Sequence, residues 1–146
     1  MKPGVAVVLT AIAGGLVAMQ APINSTLGKA SGTFAAASIS FVVGTAALVG
    51  ITLVSGAKAD VQAAGDIPWY YLTGGLLGAA YVTTVLVSVR TLGAGGVTAA
   101  TIAGQLSTAV VLDRLGVLGL EEKPLSAGRV AGVVLLAAGV FLVVRE

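Results

Sequence analysis

Two amides and a proline, Gln20, Asn24 and Pro22, lie within the first membrane-length apolar stretch of this chain, in the run Gln20-Ala21-Pro22-Ile23-Asn24. Residues 5–27 around them carry no charge. In hydrocarbon an unpaired amide or a freed carbonyl is costly, so such groups persist where protein, water or a ligand satisfies them. On a helix Gln20 and Asn24 share one face. Pro22 lacks an amide hydrogen and frees the carbonyl of Ala18, which implies a break or kink there. The group has two readings. It handles a polar cargo, with Pro22 as the hinge, or its amides bridge neighbouring helices.

Two further stripes carry chemistry. Tyr81, Thr84 and Ser88 fall on one helical face, continued by Thr91. Arg90 beside them either snorkels to the headgroups or faces an aqueous vestibule and meets an anion. Thr98, Thr101, Gln105 and Thr108 form another stripe. Threonine hydroxyls satisfy themselves on the preceding turn, so Gln105 carries most of that signal. Gln20, Asn24, Tyr81 and Gln105 are the residues expected around a central polar cavity, where amides would bond cargo and Tyr81 would stack or donate. No Asp, Glu, Lys or His occupies the middle of any span. Asp113, paired with Arg114 at a membrane boundary, is too shallow for a proton relay of the kind pumps use. Such a lining suits a small neutral polar, zwitterionic or amphipathic solute better than a bare cation.

The elements that must hold these residues are transmembrane helices. The 146 residues are 57% hydrophobic and 10% charged, with mean hydropathy +1.04. Soluble domains are about 25% charged, so the expected class is an integral membrane bundle, all-α and without a soluble domain. Five candidate spans cover 4–27, 33–54, 69–89, 96–112 and 127–144, each near the roughly 20 residues that cross a bilayer. Short connections at 28–32, 55–68, 91–95 and 113–126 place consecutive helices antiparallel. The apolar N-terminus imitates a signal peptide but runs longer than a typical h-region and is followed by further spans. Cysteine and histidine are absent, which removes thiolate or imidazole metal sites and the catalytic triads that need them. No nucleophile–base pair is visible, so no enzyme, metal or cofactor is expected. The pI near 9.2 rests on a net charge of +2 and comes without a basic run, so nucleic acid is not a partner.

Gly74 and Gly78, and Gly128 and Gly132, are small-xxx-small pairs that let helices approach closely, within one subunit or between two. Trp69, Tyr70 and Tyr71 read as an interfacial aromatic belt. With five spans, Lys2, Lys58, Arg114, Lys123 and Arg129 fall on one side and Lys29, Arg90 and Arg145 on the other. This bias is weak under the positive-inside rule. A chain so balanced can insert both ways, and two oppositely oriented copies would build an inverted-repeat transporter.

Several separated motifs resemble one family. Gln20-Ala-Pro-Ile-Asn24 before Leu27-Gly28, Ser40-Phe41-Val42-Val43-Gly44-Thr45, Gly74-Gly75-Leu76-Leu77-Gly78-Ala79 with Tyr81-Val82-Thr83, Gly104-Gln105 before Asp113, and Pro124-Leu125-Ser126 with Arg129, Gly132 and Gly139 are similar to the YdcZ-like group of the drug/metabolite transporter superfamily. The resemblance spans nearly the whole chain. It implies a multi-pass protein of the bacterial inner membrane, with five helices, half of a ten-helix inverted-repeat transporter. It also implies an exporter that pairs as a homodimer or with a sister subunit. The small multidrug exporters of the superfamily carry a membrane carboxylate that this chain lacks. Two rivals remain open: a non-transporting membrane subunit, and a lipid-carrier flippase subunit.

Overall fold

The structure, a computed structural model, describes residues 1–56 and 63–145. Lys58, counted above among the basic residues, lies outside them. Four α-helices are present among the described residues: α1 (Pro3–Ser31), α2 (Thr33–Ser55), α3 (Gly74–Leu115) and α4 (Ala127–Val144). Short 3-10 turns occupy Ala63–Gly65 and Trp69–Thr73. All four helices are long and apolar enough to cross a membrane. Among the described residues every regular element is helical, in agreement with an all-α membrane protein, and the count of four differs from the five expected.

The difference lies at Gly93. The expected connection 91–95 is helical except for this residue, which breaks α3 at φ 66°, ψ 171°. The segments before and after it are about 28 Å and 33 Å long at 1.5 Å per residue, each close to the thickness of a hydrocarbon core. Only glycine reaches such a φ without strain, so the helix is interrupted where the side chain is missing.

The chain forms two compact units, Met1–Arg90 and Thr91–Glu146. In the first, α1 and α2 pack against each other. The connection expected at 28–32 shrinks to one residue: α1 continues to Ser31, α2 begins at Thr33, and Gly32 alone turns the chain at φ 90°. Gly28 is thus a helical residue, not part of a turn. No break forms at Pro22 either; α1 stays helical through it. A proline removes one rung of the ladder, and helices in lipid tolerate that. The core of this unit is small. Ala21, Ala36, Ala37, Val82 and Leu86 are its buried apolar residues, Leu86 fully so. A Cβ on Gly78 would touch the Phe41 ring at 3.4 Å, whereas one on Gly74 would meet nothing within 4 Å. Trp69, Tyr70 and Tyr71 are exposed, as an aromatic belt requires. Trp69 and Tyr70 meet edge to face with ring centroids 6.3 Å apart, and the Tyr70 and Tyr71 rings are tilted with centroids 4.6 Å apart.

In the second unit, the C-terminal part of α3 connects to α4 through residues 116–126. Gly116 closes α3 in the left-handed region and its N–H bonds the carbonyl of Leu112 at 3.0 Å, a glycine C-cap. Ser126 caps α4 by accepting the Arg129 N–H at 3.2 Å. Asp113 and Arg114 do not pair with each other. Arg114 pairs with Glu122, and Asp113 with Arg129 at 3.1 Å. Adjacent helical residues point about 100° apart, so neither can serve the other. Arg114–Glu122 instead ties the connection to the end of α3, and Asp113–Arg129 ties the end of α3 to the start of α4. Gly128 and Gly132 leave open space where a Cβ would stand, apart from the Ser126 hydroxyl 3.9 Å from Gly128.

Candidate functional site

Within the first unit the two amides of α1 have different surroundings. Asn24 is buried, 5% exposed, and its Nδ2 donates to Ser40 Oγ on α2 at 3.3 Å. Gln20, one turn earlier, is exposed and makes no hydrogen bond with any described residue. It lies about 16 Å along the axis from the Ser31 end of α1, well inside the span. An amide left without a partner at that depth is costly unless something else meets it.

Two open spaces adjoin these groups. A groove of about 520 Å³ between α1 and α2 is lined by Gln20, Asn24 and Ser40 among apolar side chains such as Leu16, Ile23, Ile39 and Val43. A smaller one of about 240 Å³ is lined by Gln20, Ser40, Phe41, Gly44, Thr45, Leu48 and Val82. Gln20 and Ser40 border both. The arrangement is a mostly apolar surface with a few convergent polar atoms, the usual makeup of a small-molecule site.

The other expected residues are placed as follows. Tyr81 lies on α3 in the first unit, half-buried, and lines neither space. Its stripe-mate Thr84 returns its hydroxyl to the Ala80 carbonyl at 2.8 Å, the self-satisfaction common to threonine. Gln105 is exposed on α3 in the second unit. Pro22 is exposed on α1 between the two amides.

Two hydroxyls escaped sequence reasoning. Ser40 was visible only as part of a motif, because a lone serine in an apolar helix usually bonds its own backbone. Ser25, with α1 running on to Ser31, is a buried helical residue, 5% exposed, whose Oγ accepts from Arg90 Nε at 3.4 Å.

A family model, DMT_YdcZ, described as "Putative inner membrane exporter, YdcZ", matches residues 5–142. No curated protein and no solved structure is significantly similar to the chain. The match covers α2 and α3 whole and all but the outermost residues of α1 and α4, and agrees with a chain that crosses the bilayer several times. The protein is a multi-pass protein of the inner membrane and belongs to the YdcZ family of membrane exporters.

Proposed function

We propose that the chain is one half of a small-solute exporter and that the α1–α2 groove receives the cargo. The observation that carries this reading is Gln20: an amide without a partner among the described residues, deep in a span, bordering two open spaces beside the Asn24–Ser40 pair. In this reading Gln20 bonds the polar part of an amphipathic solute and the apolar wall takes the rest. Asn24 and Ser40 fix the wall's shape. Tyr81 and Gln105 complete the lining of a central cavity when two copies assemble.

The pairing follows from size and charge. In this reading the break at Gly93 divides α3 into two spans, so that the chain crosses the bilayer five times. Such a chain places its termini on opposite sides, and the near balance of basic residues permits either orientation. Two antiparallel copies then form an inverted repeat of the drug/metabolite transporter kind. The lipid-carrier reading draws on the same groove, whose walls are largely apolar.

A thermal-shift screen of polar and amphipathic metabolites on the purified protein identifies a ligand, since binding to the folded state raises its stability. Export of that ligand is then followed in liposomes. Gln20→Leu is expected to weaken binding about tenfold, the value of one hydrogen bond of ~1.4 kcal/mol. Undiminished binding and flux in both Gln20→Leu and Asn24→Leu would remove the groove as the site.

A further inference from the structure

The α3-facing side of α1 carries a second arrangement, separate from the groove. Arg90 Nε donates to the buried Ser25 hydroxyl at 3.4 Å. One turn further along α1, a Cβ on Gly28 would stand 3.1 Å from an Arg90 Nη atom and 2.9 Å from Leu86 Cδ2. The guanidinium thus lies over a stretch of α1 that has no side chain. Glycine suits this position because a Cβ would press on the fully buried Leu86 and on the arginine head, and one of them would have to shift.

Among the described residues the site has no counter-ion. Arg90 pairs with no carboxylate among the described residues, whose ion pairs are Arg114–Glu122 and Arg129–Asp113. The described acid of this unit, Asp66, precedes α3, and the helix from Gly74 to Arg90 is about 24 Å long. Of the five N–H donors of the guanidinium, the serine takes one. The residue is exposed, so the others are open. Gly28 lies about 4.5 Å from the end of α1, which sets Arg90 at the boundary of the span, where a long cationic side chain reaches the headgroup region and the anions there.

We propose that Arg90, held by Ser25 and seated on Gly28, binds an oxyanion, a phosphate or carboxylate, at this membrane boundary. A guanidinium presents two parallel donors that match such a group. Ser25 and Gly28 fix its direction at low entropic cost. The anion comes from a lipid headgroup or from a soluble solute, and the chemistry is the same for both. This site stands whether or not Gln20 contacts cargo.

The test uses the full-length protein in neutral detergent. One arm is titrated with inorganic phosphate, the other with phosphatidylglycerol in phosphatidylcholine mixed micelles. The unfolding temperature is expected to rise in at least one arm. A rise with phosphate identifies a soluble anion; a rise with the lipid alone identifies a headgroup. Arg90→Gln is expected to abolish the rise and Arg90→Lys to keep part of it. If Arg90→Gln does not fold, Ser25→Ala keeps the charge and is expected to weaken the apparent affinity about threefold. No rise in either arm, or an equal rise in the foldable variants, overturns the proposal.

Discussion

Asn24 and Ser40 stand the same number of residues before and after Gly32 and meet through a 3.3 Å hydrogen bond from amide to hydroxyl. Equal separation on either side of a one-residue turn is the mark of an antiparallel helical hairpin in register. The bond ties α1 to α2 just over two helical turns from the turn itself. It also borders the groove, so one contact bears on both hairpin register and the shape of the groove.

A double-mutant cycle measures this contact. Asn24→Ala and Ser40→Ala should show a coupling of about 0.6 kcal/mol, at most ~1.7, the range seen for hydrogen bonds between helices in membranes. Reversible unfolding of the purified protein in detergent reads it. Additive single effects would mean that the bond does not hold the hairpin.

Glycines of this chain should divide by what surrounds them. Gly28→Ala forces Leu86 and Arg90 aside, and overpacking of this kind costs about 1–3 kcal/mol. Gly32→Ala strains a backbone at φ 90°, with a cost of similar order. Gly14→Ala meets nothing within 4 Å inside α1 and should instead stabilise by about 0.5–1 kcal/mol. Unfolding midpoints of the three variants check the ordering.

The same glycines explain what was legible in the sequence. Each of the four membrane-length helices described overlaps an apolar stretch read from hydropathy, because lipid demands long uncharged stretches whatever the tertiary contacts, but the count of five was not matched. Hydropathy misplaced ends and breaks. A span of 4–27 was expected, and α1 runs to Ser31 because Gly28 is a packing glycine and Gly32 the turn. The two have the same identity and spacing, and only the neighbour, Leu86, separates their roles. At the other end, Asp113 and Arg114 looked like a pair because they are adjacent in sequence, yet each reaches to a different residue across the connection. The amides were legible, since Gln and Asn are rare in such stretches. Ser25 and Ser40 were not, because a serine gives no sign of whether it bonds its own helix or another.

The ion pair between Asp113 and Arg129 should contribute modestly. Their side chains are 28% and 32% exposed. The 3.1 Å contact is within ion-pair distance, yet Arg129 Nη1 lacks hydrogen-bond alignment. Partly exposed pairs are worth up to about 1 kcal/mol and are screened by salt. Asp113→Asn is therefore expected to lower stability by about 0.5–1 kcal/mol at low ionic strength and by less at 1 M salt. Urea or thermal unfolding at two salt concentrations reads the difference. A loss that does not change with salt would assign the effect to packing.

Pro22 offers the sharpest separation of structure from function. It sits in a helix that remains continuous, so it perturbs the ladder without serving the hairpin turn. Replacing it with alanine restores an N–H able to bond the Ala18 carbonyl, and the helix-interior penalty of proline is about 3 kcal/mol in water. Pro22→Ala should therefore be more stable than the native chain, by about 1–3 kcal/mol. If the free carbonyl lets α1 bend between two access states, the same variant should export more slowly while binding the ligand equally well. A more stable protein with slower flux and unchanged affinity is the signature of a lost hinge. A more stable protein with unchanged flux assigns Pro22 no part in the conformational cycle.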